Sequence, residues 1–268
     1  MISIMNIVEG IVLGLIQGVT EFLPISSSGH LLLIPKIFNF SDPGLAVDAV
    51  LHISTAIAIL LFFWKDWWLM LKSWKKSESL RKIILASIPA AIVGLIFGDL
   101  IESVFHSPWV VVVMLLVVAG FMWWVESNYA EVIKIQSKES NKIIDIDWIE
   151  AFIMGVAQVI ALIPGTSRSG VTIATGMWRN VNRTNAAKFA FLLGVPVSLG
   201  AGLFKLRYLF TQTNTDWVLV ITACLTTLIV SIFVIKWLLN YLQNHTFKPF
   251  IIYRVVLALI VSVILLIK

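Results

Sequence analysis

The chain has 268 residues, 59% of them hydrophobic and only 13% charged, with a mean hydropathy of +0.94. That charged fraction is about half the soluble norm, which excludes an ordinary water-soluble domain and fits one polytopic membrane domain over 1–268. A lone cysteine, Cys224, excludes a disulfide framework and a thiolate metal site, and the net charge of +5 fits the positive-inside bias better than a nucleic-acid partner.

The first apolar run, Ile4–Leu23, carries Glu9 and has no Lys or Arg before Lys36, which argues against a signal peptide. It meets Pro24 and "SSSG", then resumes over His30–Phe38. Three runs long enough to span follow: Val47–Trp64, Ile83–Ile101 and Trp109–Val125. After a polar linker at 126–147, Trp148–Ile163 meets Pro164 and "GTSRSG", then resumes over Val171–Trp178. Three more spans follow: Ala186–Leu206, Val218–Asn240 and Phe250–Ile267. Pro, Gly and Ser end helices, so each broken run reads as a re-entrant hairpin, whose turn is tolerated at membrane depth only where protein or a cavity surrounds it.

The two broken runs repeat each other. A shift of 141 places Glu9, Gly14, Gln17, Ser26, Ser28 and Gly29 on Glu150, Gly155, Gln158, Ser167, Ser169 and Gly170. Repeat one is then 1–125 and repeat two 148–268. Three spans per half invert the second copy, a pattern known from transporters. The expected fold is an all-α polytopic membrane protein of six transmembrane helices and two re-entrant hairpins in an inverted-topology repeat.

Lys65, Lys72, Lys75, Lys76, Arg81 and Lys82 fill one short loop, which the positive-inside rule makes cytoplasmic. Hairpin one then enters from outside and hairpin two from the cytoplasm, so their tips can meet near mid-membrane. Those tips hold Gln17, Glu21, Ser26, Ser27, Ser28 and His30 on one side, and Thr166, Ser167, Arg168 and Ser169 on the other. Ionisable groups there cost from about 2.5 to over 10 kcal/mol, which makes them functional candidates. The plainer reading, a buried ion network joining two hairpins, leaves the hydroxyls and glycines unexplained.

Hydroxyls, amides at a glycine turn and a guanidinium are the groups that surround a phosphate. A helix starting after "SSSG" or "SRSG" aims its N-terminal amides at the same anion. His30 follows Ser26 by four residues and Ser27 by three, so a helical turn can bring imidazole to hydroxyl. Glu21 is expected on the ring's other nitrogen. That would supply nucleophile, base, orienter and charge clamp.

"QGVTEFLPISSSGH" (Gln17–His30) and "PGTSRSGVT" (Pro164–Thr172) resemble the two signatures of the undecaprenyl-diphosphate phosphatase family of the bacitracin-resistance type. The resemblance covers essentially the whole chain. It implies hydrolysis of undecaprenyl diphosphate to the monophosphate carrier for cell-wall synthesis, in a bacterial plasma membrane, with the site open to the periplasm. It implies catalytic roles for Glu21, Ser27, His30 and Arg168. Gln17, Ser26, Ser28, Gly29, Gly165, Thr166, Ser167, Ser169 and Gly170 would hold the substrate. Where many members carry Glu, Gln17 stands here, so Glu21 alone must supply any carboxylate, including one for the Mg2+ or Ca2+ that the resemblance implies. In-line attack by Ser27, attack by His30 and a metal-bound water all remain open.

The expected partners are a polyprenyl diphosphate lipid and the surrounding membrane lipids, without nucleic acid and with homodimer formation left open. The runner-up reading is a transporter or flippase for a polyprenyl phosphate lipid. A second membrane phosphatase superfamily is disfavoured, since Ala174 stands where it needs a His, and so is an intramembrane serine protease, since its candidate His30 lies in the wrong repeat and the hydroxyl-plus-Arg setting suits phosphate better. His52 reads as a satisfied interior histidine bordering the site at most, and Lys236 and Arg254 as snorkelling cations.

Overall fold

The computed structural model describes residues 4–31, 44–105, 107–129, 146–211 and 216–267, and every element among them is helical. In chain order these are α1 (Ile4–Thr20), a helical turn at 27–31, α2 (Gly44–Phe62), α3 (Trp64–Lys72), α4 (Glu78–Phe105) and α5 (Pro108–Tyr129). The second half holds α6 (Trp148–Ile160), α7 (Arg168–Trp178), α8 (Arg183–Thr211), α9 (Trp217–Asn244) and α10 (Lys248–Ile267). The limb expected over His30–Phe38 lies mostly outside the described residues, as does most of the 126–147 linker.

Helices α4, α5, α8, α9 and α10 are long and apolar enough to cross a membrane. The sixth expected span, Val47–Trp64, is not straight: α2 ends at Phe62 and α3 leaves at 76°. Counting that bent pair as one span gives six. The interrupted helices α1 and α6 have 17 and 13 residues. At 1.5 Å per residue they reach only about 25 and 20 Å, short of a hydrocarbon core of roughly 30 Å. The chain is therefore a multi-pass membrane protein whose two interrupted helices, over their described residues, are shorter than a full span.

The helices pack crosswise between the halves. Helix α1 lies on α9 and α6 on α4, while α2 packs on α8 and α5 on α10. Small residues permit the crossings. Gly10, Gly14 and Gly18 form one stripe of α1, and a methyl added at Gly14 would stand 2.6 Å from the Ala223 carbonyl oxygen. Gly155, its counterpart in α6, sits equally close to the Ala86 backbone, where a methyl would stand 2.6 Å from Ala86 Cα. Stripes of this kind let membrane helices approach backbone to backbone, gaining dispersion contacts that lipid tails cannot match. The Asn6 side chain donates to Asp216, which also caps α9 by accepting from the Val218 and Leu219 amides at 3.0 and 3.1 Å. At the start of α6, Glu150 accepts from the Asp147 amide at 2.9 Å, a helix-capping role for one of the two repeated glutamates.

Arg254 departs from expectation. It does not snorkel: the residue is 0% exposed. Its guanidinium donates to the carbonyls of Met114 and Leu115 in α5, of Pro24 in the first tip, and of Gly165 and Thr166 in the second, at 3.1 to 3.3 Å. Tip turns leave carbonyls without helical partners, and a planar five-donor fork can gather several of them at once. The apolar length of α10 thus carries one cation whose work is to hold both tips in place.

Candidate active site

Both tips use one backbone device. Ser26 and Ser167 stand in the left-handed region at φ 76° and 70°, which L residues other than Gly adopt at a cost of about 1 to 2 kcal/mol. Each pays back part of that cost by capping the next helix. Ser26 Oγ accepts from the Gly29 amide at 3.4 Å, and Ser167 Oγ from the Gly170 amide at 3.2 Å. Each also pairs with the serine two residues on: Ser26 with Ser28 at 3.3 Å, Ser167 with Ser169 at 3.2 Å.

Those second serines stitch the tips together. Ser28 Oγ accepts from the Gly165 amide at 3.1 Å, and Ser169 Oγ donates to the Leu23 carbonyl at 3.1 Å. Gly165 turns at φ 90° against α5, so close that a Cβ would come 2.7 Å from the Val111 backbone. Only glycine fits that position. Thr166 is fully buried and donates to the Ile160 carbonyl at 3.1 Å, closing its own turn rather than facing the site.

The residue between the serines differs, Ser27 in one tip and Arg168 in the other, and both reach Glu21. Ser27 Oγ donates to Glu21 Oε2 at 2.6 Å, and Arg168 Nη2 donates to Oε1 at 2.8 Å. Gln17 Nε2, one turn back along the chain, donates to Oε2 at 3.2 Å. Glu21 is 6% exposed, a buried carboxylate whose charge is met by a guanidinium from the opposite half of the chain. Arg168 lies along Gly194 of α8, where a side chain would collide with its guanidinium. Two polar atoms at this centre, Arg168 Nη1 and Gln17 Oε1, are buried without a protein partner. Buried groups in that condition are commonly completed by water or a ligand.

Two expectations are corrected. Glu21 does not hold His30. The imidazole beside it is that of His52 in α2, with Nδ1 at 3.4 Å from Glu21 Oε2 and 3.2 Å from Gln17 Nε2. His30 faces away: Nδ1 lies 2.7 Å from the Ser26 carbonyl oxygen, and Nε2 lies 2.6 Å from the Tyr253 hydroxyl. The three-residue spacing from Ser27 to His30 thus brings the ring to the backbone of the turn, not to the hydroxyl. His52 and Tyr253 were not legible as partners, because α2 and α10 are remote in sequence. A lone His at the start of an apolar span was the available signal for the first; for the second there was none.

The described residues hold no ready-made cage for Mg2+ or Ca2+. Such an ion takes about six to eight oxygens. Glu21, the expected ligand, already accepts at both oxygens, and among the described residues no group of three His, Cys, Asp or Glu gathers to hold a metal.

The chain resembles known proteins throughout its length. The family described as bacitracin resistance protein BacA matches residues 10–260. An undecaprenyl-diphosphatase of Desulforudis audaxviator is 36% identical over 98% of this chain and 100% of its own length. One of Moorella thermoacetica is 38% identical over 97% and 98%, and one of Thermodesulfovibrio yellowstonii 39% over 94% and 95%. With two serine-capped tips closing on one carboxylate and family likeness over nearly every residue, the chain belongs to the bacitracin resistance protein BacA family.

Proposed function

We propose that the protein is an undecaprenyl-diphosphatase, cleaving undecaprenyl diphosphate to undecaprenyl phosphate and inorganic phosphate and so returning the lipid carrier to cell-wall synthesis. The observation that carries the reading is the meeting of Ser27 and Arg168, one from each tip, on Glu21. A hydroxyl donating to a carboxylate is a nucleophile with its base in place. An arginine beside it is the charge clamp that phosphoryl transfer depends on.

Ser27 Oγ bonds to the outer phosphorus as its proton passes to Glu21 Oε2. The bond from that phosphorus to the bridging oxygen breaks, and undecaprenyl phosphate leaves with the proton handed on by Glu21. Water then attacks the phosphoserine. The phosphorus–Oγ bond breaks, one water proton restores the Ser27 hydroxyl, and inorganic phosphate departs. Incoming phosphate oxygens release Arg168 from Glu21 and take its donors, with the Gly29 and Gly170 turns and the hydroxyls of Ser26, Ser28, Ser167 and Ser169 fixing the cradle. Attack by His30 fits less well, since both of its nitrogens are engaged elsewhere. A divalent ion, on this reading, arrives with the diphosphate rather than waiting in a protein cage.

The setting proposed is a bacterial plasma membrane, the site open to the periplasmic leaflet, with the crosswise packing reflecting two inverted repeats. That packing also favours a second reading, passage of the phosphorylated lipid between leaflets. Phosphate release from undecaprenyl diphosphate by purified protein, with and without EDTA, separates the two. Release by wild type and loss in folded Ser27→Ala and Arg168→Ala supports the phosphatase. Lipid movement across vesicles without phosphate release overturns it in favour of transport.

A further inference from the structure

His30 is 6% exposed and is held at both ring nitrogens. The Ser26 carbonyl can only accept, so the Nδ1 facing it at 2.7 Å carries a proton. In the neutral ring Nε2 is then an acceptor, and the hydroxyl 2.6 Å away donates to it from Tyr253. The two rings lie side by side and nearly coplanar, with centroids 5.6 Å apart and planes 10° from parallel, so the hydroxyl meets Nε2 close to the plane of the imidazole. Tyr253 is itself anchored, because Arg254, the next residue of α10, grips carbonyls of both tips. The imidazole is therefore wedged between an anchored tyrosine and the carbonyl of the one residue in the first tip that sits at positive φ, immediately before Ser27.

We infer that Tyr253 is a positioning residue of the phosphatase. Its hydroxyl fixes the tautomer and plane of His30, and His30 in turn braces the Ser26 turn that aims Ser27 at the phosphorus. This rests on the proposed role of the first tip. His30 acts here through the backbone, so that Tyr253, His30 and Ser26 form one unit behind the nucleophile. Residues acting as a unit give strongly non-additive effects when removed.

The test is a kinetic cycle of wild type, Tyr253→Phe, His30→Ala and the double variant in detergent, with kcat and KM resolved. Phe keeps the ring and removes only the hydroxyl. The expected result is a fall of about tenfold in kcat for Tyr253→Phe, the scale of one well-placed hydrogen bond, with KM little changed. His30→Ala is expected to lose more, and adding Tyr253→Phe to it should cost nothing further. In 15N spectra of the full chain, the unprotonated His30 Nε2 signal should move downfield in Tyr253→Phe as its hydrogen bond is lost. Wild-type kcat in Tyr253→Phe, full multiplication of the two losses, or an unmoved Nε2 signal would each overturn the inference. Wild-type kcat in His30→Ala would overturn the role of His30 as well, whereas multiplied losses with a shifted Nε2 signal would leave that role standing and remove only Tyr253 from it.

Discussion

The first tip reads Ser26-Ser27-Ser28-Gly29 and the second Ser167-Arg168-Ser169-Gly170. Three of four residues match, and so does the geometry: a serine at positive φ, its hydroxyl on the glycine amide, and a second serine crossing to the opposite tip. The matching residues build the turn. The mismatched pair is what meets Glu21, since the turn aims whichever side chain stands second, here a hydroxyl from one tip and a cation from the other; on the proposed function these are the nucleophile and its charge clamp. Two like turns thus yield an asymmetric site through one differing residue, with Glu21 as the point where the two aims converge. Nothing stands opposite Glu21 in the second half, where the same shift of 141 arrives at Leu162.

If the middle residues carry the chemistry, exchanging them should cost most. Arg168→Ala should lower kcat by about 10² to 10³, the loss typical of removing one preorganised electrostatic group. Arg168→Lys should recover only part of it, because an ammonium cannot reproduce the planar fork. Both are read by phosphate release under saturating substrate. Behind the tips, Arg254→Met should lower stability by at least ~2 kcal/mol, since buried carbonyls from both tips lose their shared donor. Thermal unfolding in detergent measures that.

The matching residues should behave alike in the two tips. Ser26→Ala and Ser167→Ala each remove a helix cap while leaving the strained φ unchanged, so each should cost about 1 kcal/mol in the same unfolding assay. A large inequality between them would break the claim that the two turns are one device. Among the groups around Glu21, the smallest effect expected is that of His52→Ala. It removes one neighbour of Glu21 while Ser27, Gln17 and Arg168 remain, and should reduce kcat by about tenfold or less.

Much of this was legible from residue order. Helix-breaking Pro24 and Pro164 beside serine and glycine marked the interruptions, and runs of about 20 apolar residues marked the spans. The identities at a shift of 141 marked the turns that share a backbone. What order could not convey was direction. His30 was expected on Ser27 because three residues separate them, yet it turns to the Ser26 carbonyl and Tyr253. Arg254 looked like a cation seeking water, because nothing local shows that five carbonyls from three distant segments converge on it. The bend at Phe63 went unmarked for a similar reason: no Pro or Gly stands there, and the run stays apolar through it.

In the proposed reaction Ser27 is the group that takes the outer phosphate. The most direct measurement is a quench in denaturant at neutral pH, which spares both phosphoserine and acid-labile phosphohistidine, of wild-type protein turning over undecaprenyl diphosphate labelled at the outer phosphorus, with the labelled peptide then sequenced. The expected product is an acid-stable phosphoester on Ser27, absent from Ser27→Ala. Label on His30, or phosphate released at the wild-type rate by Ser27→Ala with no labelled protein at all, would contradict it.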